Sequence, residues 1–373
     1  RKAIDIKPDF ANAHCNLGSI LHSVGNLEEA EILIRKAIKL KPDYAKAHFN
    51  LGNLLSDLVN LKEAEHYYRK AVELKPDFAE ANYNLSFILL KGKKFKEGFN
   101  KYEWGFKVYD REEVTRLKLR TRKPEWTPNN KGKVLLWDEQ GIGDKILFAS
   151  LIPEFVEQVD QLIVKVDERL IPLFKRSFNQ KITYINTDKL IDEKSYDSHI
   201  AMGSLLKFLR KSKEDFKKGK QNYLKVNERK STIFKEKLKD LEHEKIIGIS
   251  WKSTTKLAKG LNLSLENLLL GIYSPKIKFL CLQYGDVEKE INQFRKKHRI
   301  KIEIINEVDL FNDIDGLASL IMACDEVVSI DNVTLHLAGA TGTKTNILLP
   351  KNCHWYHGVD DKKSIWFPKV KFF

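Results

Sequence analysis

The chain has 373 residues, 42% of them hydrophobic and 10% aromatic, which is too long for one ordinary core and suits two or three globular domains. Its net charge of +14 is concentrated in two connecting stretches, +5 over residues 107–133 and +7 over residues 204–245; no aromatic–basic recognition motif accompanies it, so no nucleic-acid partner is expected. No apolar run approaches the roughly 20 residues of a transmembrane segment, no signal peptide is visible, and the four cysteines fit reduced thiols of a cytoplasmic protein better than a disulfide framework or a zinc site.

The first hundred residues repeat. Lys-Pro recurs at Lys7-Pro8, Lys41-Pro42 and Lys75-Pro76, 34 residues apart each time, and Asn-Leu-Gly at residues 16–18 returns at 50–52 and, as Asn-Leu-Ser, at 84–86. Small residues at Gly18/Gly52, Ala30/Ala64 and Ala37/Ala71 let paired helices approach closely, and each Pro stops the second helix. Period and positions together predict a tetratricopeptide α-solenoid over residues 1–107. The chain opens without Met in mid-repeat, so further repeats and any targeting segment are expected upstream. Asn16, Asn50 and Asn84 share one repeat position, as do His14 and His48. Asn is unfavourable inside a helix. Its amide, both donor and acceptor, suits an extended acceptor peptide along the concave face, or equally a bond to the neighbouring helix.

Residues 108–131 read as a basic linker, with Pro124, Pro128 and Asn129-Asn130 marking the boundary. Two alternating α/β sets follow, expected as lobes over residues 132–243 and 244–373. Short apolar strands are expected at 133–139, 162–166 and 182–186, then at 246–251, 278–285, 300–306, 326–331 and 345–350, with helices between them. The expected fold class is thus α + α/β: a solenoid, then two Rossmann-like lobes enclosing a cleft at the carboxyl ends of their strands.

Three motifs carry a family resemblance: "EQGIGD" (residues 139–144), "GISWKS" (248–253) and "SIDNVTLHLAGATG" (329–342) with "LLP" (348–350). With the repeat array in front, residues 132–373 resemble bacterial tetratricopeptide-linked glycosyltransferases of the two-lobe GT-B type. These are related to lipopolysaccharide heptosyltransferases and, more distantly, to O-linked N-acetylglucosamine transferases. The resemblance implies an inverting sugar transfer and places Asp144 where that family has its candidate base, with Glu139 as a lesser candidate. Asp144 also suits a helix cap. Val333 departs from the family, which carries a small hydroxyl there.

The residues themselves add chemistry. A strand ending at Asp331 and a helix starting near Asn332 would offer backbone amides and a helix dipole to a diphosphate. Asn332 and Thr334 would add side-chain donors, and His336 lies one turn further on. The same residues suit an ordinary capped helix over a core histidine. Lys252 would offset charge on a departing nucleoside diphosphate, with Ser253 and Thr254 as further donors, or would simply be solvated. Gly141 and Gly143 permit close backbone approach to a ligand, but the full GxGxxG is lacking, so NAD is not expected. His354, His357 and the nearby aromatics suit a sugar or acceptor rim, or packing. The histidines are scattered and no DxD triplet occurs, so neither metal nor other cofactor is expected.

The reading is an inverting, metal-independent glycosyltransferase moving sugar from a nucleotide-sugar donor to a polypeptide or other polymeric acceptor presented by the array. The alternative is a non-catalytic interaction scaffold. A third option is a lipid- or polysaccharide-modifying transferase whose array binds a partner protein.

Overall fold

The computed structural model describes residues 1–108, 118–178, 181–219, 221–253, 262–350, 353–357 and 362–373. Thr254, Asn352, Gly358 and the first part of the expected linker lie outside the described residues. Two compact units are present; the first joins the N-terminal residues to 210–212 and 353–357, and the second holds the remainder.

The first unit is built of helical hairpins. A short helix, α1 (Lys2–Ile6), precedes three pairs: α2 (Ala11–Ser23) with α3 (Leu27–Leu40), α4 (Ala45–Asp57) with α5 (Leu61–Leu74), and α6 (Ala79–Lys91) with α7 (Phe95–Tyr102). The small residues do what their spacing requires. A Cβ on Gly18 would lie 2.6 Å from Ile34 Cγ1, and one on Gly52 would lie 2.8 Å from the Tyr68 ring. Leu51, Leu54, Ala64 and Tyr68 form the core between them. Each hairpin turn places one residue at positive φ: Gly25, Val59 and Lys93, again 34 apart. Only the first is the glycine that this conformation favours.

Position-specific polar residues brace this unit. His14 Nε2 donates to Pro8 O (2.8 Å) and His48 Nε2 to Pro42 O (2.9 Å). At the equivalent place in the third pair, Asn82 Nδ2 donates to Pro76 O (3.1 Å). Each ties a first helix to the proline turn before it. Residues 353–357 also belong here, with Trp355 edge-on to Phe99 at 5.5 Å. Their aromatics therefore pack, in line with the packing reading of that cluster.

The second unit is an α/β region with two wholly parallel sheets. The first sheet has the order β3-β2-β1-β4, from β1 (Lys133–Trp137), β2 (Gln161–Val166), β3 (Ile182–Asn186) and β4 (Ser198–Ala201). Between its strands lie α8 (Ile142–Ala149), α9 (Ile152–Phe155) and α10 (Ile171–Ser177); the helical connection from β1 to β2 is thus in two pieces, with Pro153 at the start of α9. The segment to the second sheet carries α11 (Leu206–Leu209), α12 (Asp215–Lys218) and α13 (Glu228–Leu238).

The second sheet has the order β10-β9-β8-β5-β6-β7. In chain order it comprises β5 (Lys245–Ser250), α14 (Leu265–Ile272), β6 (Ile277–Cys281), α15 (Glu288–His298), β7 (Ile302–Glu303), α16 (Ile314–Ala323), β8 (Glu326–Ser329), α17 (Val333–Thr341), β9 (Thr345–Ile347) and β10 (Val370–Phe372). Ile247, Ile249, Trp251, Leu268, Phe279 and Ile291 fill one face of it. Strands β4 and β10 were not expected from sequence. The latter half of the stretch expected as linker is part of the fold: Trp126 is buried between Phe155 and Phe208.

Candidate functional site

In parallel sheets, the loops leaving the carboxyl ends of the strands gather at one edge. Within the α/β unit these edges of the two sheets meet at two places. Gly143, in the first turn of α8 after β1, lies against His336 of α17, which follows β8; a Cβ there would be 2.8 Å from His336 Cδ2 and 3.1 Å from Nε2. Arg169, following β2, reaches Phe311 between β7 and α16, with its guanidinium 5.1 Å from the ring centre and Nη1 donating to Phe311 O (3.1 Å). A bidentate pair, Arg176 of α10 with Asp315 of α16 (2.5 and 2.8 Å), runs alongside.

The sequence motifs "QGIGD" and "DNVTLH" are thereby brought together. Gly141 is the residue preceding α8, and Asp144, partly buried, lies in its first turn. The Asp331 side chain is only 8% exposed, with Oδ1 3.5 Å from Nε2 of the buried His336. Glu139 accepts from Gly203 N at 3.1 Å. A neighbour that the sequence reading passed over, Asp138, accepts from Thr187 Oγ1 (2.7 and 2.8 Å) and pairs with Lys145 at 2.6 Å. This carboxylate ties the loops after β1 and β3 to α8. An acidic residue directly after an apolar strand was the available signal.

Other expected donors are committed within the protein. Asn332 caps α17: its Oδ1 accepts from Thr334 N (3.0 Å) and Leu335 N (3.4 Å). Its Nδ2 donates to Ser250 Oγ (2.7 Å) and Lys252 O (3.1 Å). The capped-helix reading thus describes this residue, and two backbone amides expected to meet a diphosphate already have an acceptor. Thr334 is fully buried, its hydroxyl 3.5 Å from Leu282 O. Lys252 Nζ pairs with Glu290 at 2.6 Å, and the same carboxylate accepts from Trp251 Nε1 at 3.1 Å. Ser253 N donates to Asn262 Oδ1 at 2.8 Å.

Gln283, just beyond β6, was also missed. Its Oε1 accepts from Ser250 Oγ and from the Trp251 and Lys252 amides, at 3.0, 2.8 and 2.8 Å. Gln283 and Asn332 therefore bracket residues 250–252 from two sides and fix where Lys252 leaves the sheet. Nearby, Asp167 holds Arg169 through Nε and Nη2, both at 2.9 Å, and the guanidinium keeps that carboxyl below its ordinary range.

The three repeat asparagines do not sit alike. Asn50 is buried and donates to Cys15 Sγ (3.3 Å), Asn84 donates to Asn53 Oδ1 (2.9 Å), and Asn16 is exposed. The first two link neighbouring first helices, which is the bracing alternative for those positions. Among the described residues no cluster of His, Cys, Asp and Glu is placed to hold a metal ion, and no helix is long and apolar enough to cross a membrane.

Protein FlbA of Caulobacter vibrioides is 30% identical over 258 residues, covering 65% of this chain, so the similarity reaches beyond the repeats into the α/β region. The chain spans 43% of the length of FlbA. Among solved structures, MamA is similar at 20% identity over 29% of this chain and 63% of MamA (TM-score 0.27). The P58(IPK) TPR domain structure aligns at 25% identity over 27% of this chain and 28% of that one (TM-score 0.26). The tetratricopeptide repeat family matches at residues 11–44 and again at 45–78. The chain therefore carries tetratricopeptide repeats, modules that support a protein-interaction role, in front of a parallel-sheet α/β region.

Proposed function

We propose that the chain is a GT-B-type glycosyltransferase. The α/β region takes a nucleotide-activated sugar between the carboxyl edges of its two sheets and transfers it, with inversion and without a metal, to a polypeptide held by the repeats. The observation that carries this reading is the contact of Gly143 with His336, which joins the turn bearing Asp144 to the start of α17. Asp144 is the proposed base, accepting the acceptor hydroxyl's proton as oxygen attacks the anomeric carbon. Lys252 is the proposed counter-charge to the leaving diphosphate, which must draw its ammonium away from Glu290. Asn332 and Thr334 act indirectly here, by fixing the helix start and residues 250–252.

The test is a thermal-shift panel of UDP-, GDP-, ADP- and dTDP-sugars, followed by a hydrolysis and transfer assay. Stabilisation with turnover, abolished in Asp144→Asn while affinity persists, supports the transferase. A second reading, an interaction scaffold without catalysis, is favoured by the internal commitments of Asn332, Thr334 and Lys252. Stabilisation without turnover would select it, and silence across the whole panel would remove the donor site altogether.

A further inference from the structure

Phe311 is an anomaly on the surface of the α/β unit. It is a large aromatic residue 51% exposed, yet its turn is built to hold it still. Asp309 Oδ1 accepts from the Phe311 and Asn312 amides (2.9 and 3.0 Å), and its Oδ2 accepts from Asn312 Nδ2 at 2.8 Å. Asp313 then caps α16 through Gly316 N at 2.7 Å. An exposed apolar ring gains nothing for stability from such bracing. An aromatic ring carried on a fixed backbone does, however, bind a flat partner with a smaller ordering penalty.

Its surroundings select the partner. Arg169 lies over the ring at 5.1 Å, itself clamped by Asp167, and the buried Tyr284 stands 6.3 Å away at 52°. Arg169 comes from the carboxyl edge of the first sheet, Tyr284 and Phe311 from that of the second. A cation, a held aromatic face and a second aromatic at such an edge suit a planar, electron-rich heterocycle more than a sugar ring, which offers no π face.

We infer that Phe311, backed by Arg169, is the stacking platform for the nucleobase of the donor. This rests on the transferase reading and deepens it by assigning the base-binding end of the donor to the turn after β7. The platform takes base from any nucleotide, because every base has a π face; it sets affinity for nucleotides over base-free diphosphates.

The experiment uses the full chain and isothermal titration with UDP, GDP, ADP and inorganic pyrophosphate. Phe311→Ala should weaken the nucleoside diphosphates about tenfold and leave pyrophosphate binding where it was. Its unliganded melting temperature should move by less than about 2 °C, since half the ring is already in water. Phe311→Tyr should bind as the native chain does, and Phe311→Leu should behave like the alanine variant. Native-level affinity in Phe311→Ala or Phe311→Leu, or an equal loss for pyrophosphate, overturns the platform while leaving the transferase reading intact. Failure of the native chain to bind any nucleotide refutes that reading and the platform with it.

Discussion

The closeness of Gly143 to His336 makes a quantitative prediction. A methyl carbon at Gly143 would sit 2.8 Å from His336 Cδ2, where carbon atoms in contact normally keep about 3.5–4.0 Å. His336 has little room to yield, being 3% exposed, near Phe367 and beside Asp331. Overpacking of this kind costs about 1–3 kcal/mol, and replacing a helical glycine by alanine returns at most about 1 kcal/mol. Gly143→Ala should therefore destabilise this region by up to about 3 kcal/mol. Native-state hydrogen exchange at the amides of α8 and α17 reads that change separately from the repeats. The decisive step is a double-mutant cycle with His336→Ala, which removes the ring that the methyl meets. In that background Gly143→Ala should be neutral or stabilising, giving a coupling of at least about 1 kcal/mol. Equal effects in both backgrounds, within about 0.5 kcal/mol, would refute the contact on which the functional assignment stands.

Three further outcomes are expected. Val59, a β-branched residue at φ 60 where the preceding hairpin has Gly25, should be improved on by glycine: Val59→Gly should stabilise the repeats by roughly 0.5–1 kcal/mol, measured by urea unfolding. Burial pushes the His48 imidazolium down, so the unfolded chain binds its proton first; stability should be fully present above about pH 6.5 and decline as pH falls from there toward the lowered folded value. His48→Asn, which copies Asn82, should flatten that decline while leaving stability at pH 8 within about 1.5 kcal/mol of native, the difference being the lost stacking on Tyr67. Glu290→Gln should release Lys252 and tighten nucleoside diphosphate binding up to about fivefold, with less than about 1 kcal/mol change in stability, since both groups are part-exposed. Unchanged affinity in a chain that does bind nucleotide would place Lys252 outside the donor site.

Period was the legible quantity. Helix pairs seat a small residue against a partner on the facing helix once per 34 residues, so Gly18 and Gly52 could be read directly as contact positions, though not the Ile34 and Tyr68 side chains they meet. Strands β1, β2, β5 and β8 were equally plain, because a strand buried on both faces is a run of apolar residues. Strand β4, with its Ser-His-Ile-Ala, lacked that run, although all four residues are buried. His199 earns its place there through Nδ1, which accepts from Trp137 Nε1 at 3.1 Å, a bond between residues 62 positions apart that no local pattern announces. Edge strand β10, three residues long and pairing only with β9 in its ladder, was illegible for the same reason.

The site was legible to the level of motifs but not of atoms, and the reason is chemical. The groups that hold an anion, amides and ammonium ions at strand ends, are the groups a loop needs for its own backbone. Asn332 shows this: one oxygen satisfies two helix amides while one nitrogen spans to Ser250 and Lys252, so the residue type suits a ligand and a brace equally. Asn50 and Asn84 repeat the ambiguity in the array. Lys252 and Asn332 lie just beyond the ends of β5 and β8, as the sequence predicts, and only the bonds they make separate a ligand-holding role from a brace. On the transferase proposal a brace would still serve binding in one respect: Asn332 and Gln283 hold the backbone N–H and C=O of Lys252, so that backbone would have no freedom left to lose when the ammonium meets a diphosphate. Asn332→Ala should consequently loosen the start of α17 and weaken donor binding together. Loosening without any effect on binding would leave Asn332 purely a cap.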